Sequence, residues 1–309
     1  MIRLGLCCIF RSEPIRFRRT TAASLHAIPR DEQLRRLSAI ALHNAAALQA
    51  ALSYCRDHGI GAFRVNSQIL PLKTHPEAGY RIDQLPDAER IVALFRGCGR
   101  FCRKYDIRTS FHPDQFVVLN SPDARVVERS VAELVYQAEV ARWVNADVIT
   151  LHGGGAYADK PAALRRLEAA VRRLPRAVRS RLALENDDVR FTPRDLLPLC
   201  RRLDIPLVYD VHHHRCLPDR LSVEAATALA LATWRREPLF HISSPRTRRP
   251  GGCRMHHDYI DASDFPPQWR DLEITVEVEA KAKELAVLAL ARQLRLQLPA
   301  PRFDQSAGG

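Results

Sequence analysis

The chain has 309 residues, enough for one α/β barrel of about 250 residues with extensions, or for two smaller domains. A hydrophobic share of 46% excludes a disordered or collagen-like chain, and no apolar run approaches the length of a membrane span. Lys and Arg outnumber Asp and Glu by 47 to 35, a net charge of +12 that suits a polyanionic partner and equally suits Arg scattered over solvated helix faces.

Strand-like runs alternate with helical patterns from end to end. IRLGLCCI (2–9) opens the chain, and a polar, Arg-bearing connector leads to an Ala- and Leu-rich helix near 31–57. AFRVN (62–66) precedes a wide loop and a helix near 84–104. The third strand, 107–112, is followed by a helix near 124–144 that starts after the cap-like SPD. DVITLH (147–152) precedes a helix near 160–173, and RLALE (181–185) one near 193–203. PLVYD (206–210) precedes a helix near 222–232. PLFHIS (238–243) runs into an irregular basic stretch, and EITVEVE (273–279) into a last helix near 281–296. Eight strand–helix units predict a single-domain (β/α)8 TIM barrel over 1–298, with 299–309 (PAPRFDQSAGG) as an unstructured tail. Apolar spacing such as Val126, Val131, Leu134 and Val135 gives the helices a stripe to lay on the barrel. An open doubly wound sheet would carry a glycine-rich phosphate turn after its first strand, and none is present.

Eight cysteines (Cys7, Cys8, Cys55, Cys98, Cys102, Cys200, Cys216 and Cys253) form no CxxC pair and sit mostly in apolar patterns, as reduced thiols do. MIRLGLCCIF is too short for a secretory h-region. A soluble cytoplasmic protein is expected.

Six of the apolar runs end in a metal-type ligand: His112, His152, Glu185, Asp210, His241 and Glu279. A single histidine at a strand end is usually a satisfied core residue. Six polar ends together are different, because a parallel barrel brings all its strand ends to one rim, where catalytic groups sit. Glu185 in LALEND is a buried acid that needs neutralising, and a divalent cation does so. His213 in YDVHHH reaches the same cavity if the chain turns after Asp210, with His212 and His214 behind the ligands or facing solvent. Mixed imidazole and carboxylate ligands suit Mn²⁺ or Zn²⁺, and two or three close cations are the usual device for displacement at phosphorus.

RLGL, FHPDQFVVLNSP, LHGGGAY, LALENDD, YDVHHH, HISSPR and VEAKAKE, in this order between Ile2 and Glu284, resemble the UV damage endonuclease family. That family is related in architecture to the endonuclease IV and xylose isomerase barrels. The resemblance implies a metal-dependent enzyme that nicks duplex DNA immediately 5′ to a UV photoproduct, whether pyrimidine dimer or 6-4 photoproduct. The products would be a 3′-hydroxyl and a 5′-phosphate. Two or three divalent ions are implied, manganese ahead of zinc. Carried onto matching positions, the ligands are His112, His152, Glu185, Asp210, His213, His241 and Glu279. His75 in KTHPE and His256 in MHHDY are further ligands, with Asp258 beside the latter. Catalysis falls to Glu185 and Glu279, with Lys281 as a phosphate contact.

The family probes a lesion by pushing a Gln–aromatic pair into the duplex, and Gln115 with Phe116 stands at that position. An aromatic wedge replaces lost stacking, and a crosslinked dimer, already unstacked, is the cheaper site to open. The bland alternative makes Phe116 a core residue of FVVL. Some members have Tyr in place of Phe116, and some a Lys where this chain has Leu239. Arg246, Arg248, Arg249 and Arg254 in the loop after the seventh strand, with FRSEPIRFRR after the first, are expected to reach phosphates. A monomer acting on a bent duplex is expected. The alternatives are an abasic-site endonuclease of endonuclease IV type, a sugar isomerase, and a non-catalytic damaged-DNA binder. The Arg-rich rim argues against the isomerase, and several buried acids argue against the binder.

Overall fold

The computed structural model describes residues 1–247 and 254–296. Eight strands form where the apolar runs predict them: β1 (Ile2–Cys7), β2 (Ala62–Val65), β3 (Arg108–Phe111), β4 (Val148–His152), β5 (Leu182–Glu185), β6 (Leu207–Val208), β7 (Leu239–Ile242) and β8 (Ile274–Val278). All pairs are parallel, in the order β6-β5-β4-β3-β2-β1-β8-β7. The seam between β6 and β7 is joined by a bridge between Asp210 and His241, with the His241 N–H donating to the Tyr209 carbonyl at 3.1 Å. The result is a nearly closed (β/α)8 barrel in one domain. Two proposed ligands therefore pair across the closing seam itself. No helix among the described residues is long and apolar enough to cross a membrane.

The helices are α1 (Ala22–His26), α2 (Arg30–Asp57), α3 (Ala88–Tyr105), α4 (Ala124–Val144), α5 (Lys160–Arg173), α6 (Arg176–Arg179), α7 (Pro193–Leu203), α8 (Val211–Cys216), α9 (Val223–Leu231) and α10 (Glu284–Gln293). Their starts follow cap chemistry. Asp123, Asp159, Thr192 and Ser222 each accept a hydrogen bond from a first-turn backbone N–H, satisfying donors the helix cannot use. The last helix starts at Glu284, later than the sequence pattern suggests, because Lys283 lies at φ 54. Helix α2 buries Leu37, Ala41, Leu48, Leu52 and Cys55 at helical spacing. On α4 one expectation fails: Val135 is exposed, and the buried stripe is Ser130, Leu134, Gln137, Ala138, Ala141 and Val144. Leu134 already occupies the inward direction, and the next residue turns about 100° away.

Between helices and strands lies the main core, where each fully buried Leu or Phe contributes about 1.5–3 kcal/mol. A smaller apolar layer, Val148, Ala183, Val208 and Leu239, fills the barrel interior with Trp234 against it. Alternation places Ala183, Val208 and Leu239 one step below Glu185, Asp210 and His241. Leu239 is thus the apolar floor of the site. Cys7, Cys55, Cys98, Cys102 and Cys200 are buried free thiols, and burial pushes Cys98, Cys102 and Cys200 up to about 12. Cys253 and the tail 299–309 lie outside the described residues.

Candidate metal centre

Strand alternation sends the polar strand ends to one rim, and the wholly buried Glu185 carboxylate becomes their hub. Its Oε2 lies 2.7 Å from His112 Nε2 and 3.7 Å from His152 Nε2. Its Oε1 lies 2.9 Å from His241 Nδ1 and 3.4 Å from His213 Nδ1. Three sets bring ligand atoms within 4.8 Å of one another: His112, His152 and Glu185; His112, His241 and Glu279; and Glu185, Asp210 and His213. Shared members join them into one cluster.

Asp210 explains why the D-x-x-H spacing works. It caps α8, its Oδ1 accepting the His213 N–H at 2.7 Å, so a helical turn starts directly at the strand end. That turn brings the His213 ring to Glu185. Asn186 fixes Asp210 from the neighbouring strand, donating to its carbonyl at 2.8 Å and accepting its N–H at 3.0 Å.

Charge decides what the cluster can hold. Glu185, Asp210 and Glu277 are buried and Glu279 nearly so, and Arg64 is the fixed cation beside them. Left alone, the acids draw protons onto their neighbours. Burial opposes a charge on His241, yet Glu185 and Glu277 together outweigh it and lift the imidazole to about 10. Burial likewise opposes a charge on His213, and Asp210 and Glu185 raise it well above its ordinary value. His152 is lowered, burial outweighing Glu185. Burial would raise the Glu185 carboxyl, but His241, His152 and His112 hold it well below the usual range. Two buried atoms, Asp210 Oδ2 and His152 Nδ1, have no hydrogen-bond partner among the described residues. Unpartnered donor atoms beside an excess of carboxylates fit divalent cations, and the imidazole–carboxylate mixture fits Mn²⁺ or Zn²⁺ better than Ca²⁺ or Mg²⁺.

Other candidate residues divide clearly. His256 edges the cluster, its Nδ1 3.8 Å from Glu279 Oε2, on a segment bridged to Pro245. His75 is not brought into any of these sets; its Nδ1 accepts the N–H groups of Glu77 and Ala78 within its own loop. Asp258 is exposed and is likewise absent from them. His212 and His214 are both buried, so neither faces solvent. His214 is clamped between the Tyr209 hydroxyl and Asp219 at 2.7 and 2.9 Å. Lys281 is exposed and lines a cavity of about 550 Å³ beside the cluster, with His112, His256, Glu279, Arg19 and Arg254 also on its wall.

Gln115 and Phe116 occupy a turn directly after His112, and Phe116 is 80% exposed. It is not a core residue. Asn120 braces this segment against the glycine turn after β4, donating to the Gly153 and Gly155 carbonyls at 2.7 and 2.8 Å. Gly154 at φ +82 is required there, since a Cβ would stand 2.3 Å from the Asn120 amide oxygen. Arg246 is exposed, and Arg248 and Arg249 lie outside the described residues.

Sequence reasoning missed Arg64 and Glu277. Arg64 Nε lies 2.5 Å from Glu277 Oε2, and Nη1 lies 2.7 Å from Glu279 Oε1. Both are charges inside short apolar strands, and each needs a buried partner of opposite sign. That was the available signal.

Comparison with known proteins agrees with this geometry. Residues 2–299 match the family described as UV-endonuclease UvdE. A UV DNA damage endonuclease of Bacillus velezensis is 32% identical over 284 residues, covering 87% of this chain and 86% of its own. That of Bacillus mycoides is 30% identical, covering 80% and 78%. The crystal structure of SacUVDE superposes with a TM-score of 0.84 at 28% identity, covering 96% of this chain and 98% of that one. Endonuclease IV from Thermus thermophilus, at TM-score 0.56 and 18% identity over 80% of this chain and 93% of its own, shares the fold.

Proposed function

The chain belongs to the UV-endonuclease UvdE family, and on that premise we propose that it is a metal-dependent endonuclease that nicks duplex DNA immediately 5′ to UV photoproducts, leaving a 3′-hydroxyl and a 5′-phosphate. The observation that carries the reading is the buried Glu185 carboxylate, ringed by His112, His152, His213 and His241 at the barrel mouth. Two or three divalent cations would be held there, manganese preferred, by His112, His152, Glu185, Asp210, His213, His241 and Glu279, with His256 at the edge. Bound in this pocket, such ions supply Lewis acidity at the phosphate and lower the pKa of water among them.

The protein's own contribution is position and shape. Glu185 faces two imidazoles with each oxygen, so it would hold the ions together with them. The apolar layer of Val148, Ala183, Val208 and Leu239 closes the floor and keeps bulk water from entering beneath. Phe116, exposed beside ligand His112, would replace a displaced base in the stack, and Gln115 would satisfy exposed base edges. Arg246 would contact a phosphate near the mouth, and Lys281 a phosphate at the cavity wall. Buried free thiols suit a reducing cytoplasm, and a single barrel presenting one open face suits action as a monomer.

The test uses three duplexes of one sequence, carrying a single pyrimidine dimer, a single abasic site, or no damage. A nick directly 5′ to the dimer with a ligatable 3′-hydroxyl is expected. Cleavage of the abasic duplex alone would replace this reading with an abasic-site endonuclease.

A further inference from the structure

While His241 and Glu277 pair across β7 and β8, Arg64 reaches into the barrel from β2 with its guanidinium buried. Three groups meet it. Nε and Nη2 lie 2.5 Å from Glu277 Oε2, Nη1 lies 2.7 Å from Glu279 Oε1, and Nη2 lies 2.9 Å from His241 Nε2. Glu277 in turn lies 3.1 Å from His241 Nε2 and accepts the Ser110 hydroxyl on its other oxygen. The barrel wall is thinned for this arrangement: a Cβ at Gly5 would stand 3.1 Å from Glu277 Cγ and 3.2 Å from Ala62 Cβ.

The geometry has two consequences. First, the two nitrogens of His241 are assigned to different tasks. Nδ1 faces Glu185 at 2.9 Å and Glu279 at 3.6 Å, while Nε2 faces the Arg64–Glu277 pair, 2.9 Å from Arg64 Nη2 and 3.1 Å from Glu277 Oε2. An imidazole held at Nε2 by this buried pair keeps Nδ1 turned toward the cluster, the nitrogen placed to meet a cation. Second, Glu277 and Glu279 are two acids on the same face of one strand. Without a cation between them their repulsion would turn Glu279 away, and the planar fork of a guanidinium holds both in fixed directions, which a freely rotating ammonium does not.

We propose that Arg64 is a positioning residue: paired with Glu277, it presents His241 through Nδ1 and Glu279 through a fixed carboxylate to the divalent-cation site. It does so without binding DNA. The inference rests on the cation-site reading given above.

The test is Mn²⁺ binding to the full-length protein, measured by titration for the wild type, Arg64→Gln, Arg64→Lys and Glu277→Gln. Incision kinetics and metal-free melting accompany it. Arg64→Gln and Glu277→Gln are expected to weaken at least one Mn²⁺ site by about tenfold to a hundredfold, the usual effect of losing a group that orients a ligand. Arg64→Lys should lie between these variants and the wild type. KM for damaged DNA should not change at saturating Mn²⁺, and excess Mn²⁺ should restore much of kcat. Glu277→Gln keeps the shape of the site, so it carries the test should Arg64→Gln fail to fold. Wild-type Mn²⁺ affinity in the folded variants would overturn the inference, as would a change confined to KM. A wild type that binds no Mn²⁺ would instead overturn the cation-site reading itself.

Discussion

Asp210 Oδ1 accepts the backbone N–H of His213 at 2.7 Å, while its Oδ2 is buried without a hydrogen-bond partner among the described residues, 3.5 Å from His213 Nδ1. One side chain thus starts a helix with one oxygen and offers the other to the site. The two tasks can be separated. Asp210→Asn keeps a good cap, so the metal-free melting temperature should stay close to the wild type, while the lost charge should lower Mn²⁺ affinity and incision at least about a hundredfold. Asp210→Ala should lose the cap as well, costing about 1 kcal/mol more stability. Calorimetry on metal-free protein beside an incision assay separates the effects; equal incision by Asp210→Asn and wild type would remove Asp210 from the cation site.

Glu185 and Glu279 should tolerate removal as far as DNA binding is concerned. Glu185→Ala and Glu279→Ala are expected to abolish incision while binding of a damaged duplex remains measurable by fluorescence anisotropy. Full incision by either variant would take that residue out of the mechanism.

The wedge makes a different prediction. Phe116 is so exposed that the double substitution Gln115→Ala and Phe116→Ala should leave stability within about 0.5 kcal/mol. Preference for a dimer-bearing duplex should nevertheless fall sharply, with little change on undamaged DNA. Phe116→Tyr should retain the preference, since the stacking face survives. Equal losses on both duplexes would contradict the wedge.

Sequence made the architecture legible because each of eight strands is a compact apolar run, six of them with a metal-type polar end, and a parallel barrel admits one place for such ends. It also made most of the cluster legible, since His112, His152, Glu185, Asp210, His241 and Glu279 are those ends. Arg64 and Glu277 were not, because their roles depend on β1 bringing β2 and β8 together across more than 200 residues of chain, as the 213-residue separation of the pair states. His75 is less legible for a different reason: a histidine in a loop has no strand to aim it, and its Nδ1 accepts two N–H groups of its own loop. His214 shows a similar limit, its partners Tyr209 and Asp219 being visible only once α8 folds.

Acid and base should each destabilise the metal-free protein, through different groups. His241 is raised to about 10 when folded, so its stabilising charge is fully present below its unfolded pKa near 6.5 and is lost as pH rises towards 10. His213 shifts the same way. Burial would raise Glu277, but Arg64 and His241 hold it at about 2, so its contribution is present above the unfolded value near 4.5 and is lost as pH falls towards 2. Metal-free melting should therefore be lower at pH 9 than at pH 6.5, and lower again at pH 3. Mn²⁺ must displace the protons on His241 and His213, so binding at pH 7 should release protons, measurable by calorimetry in buffers of different ionisation enthalpy. Binding without proton release would contradict this assignment.

The most direct measurement is an anomalous difference map at the manganese edge from crystals grown with Mn²⁺. The account predicts two or three peaks inside the ring formed by His112, His152, Glu185, Asp210, His213, His241 and Glu279, with Glu185 between two of them. Crystals that bind manganese elsewhere, or that leave this ring without a peak at saturating Mn²⁺, would contradict it.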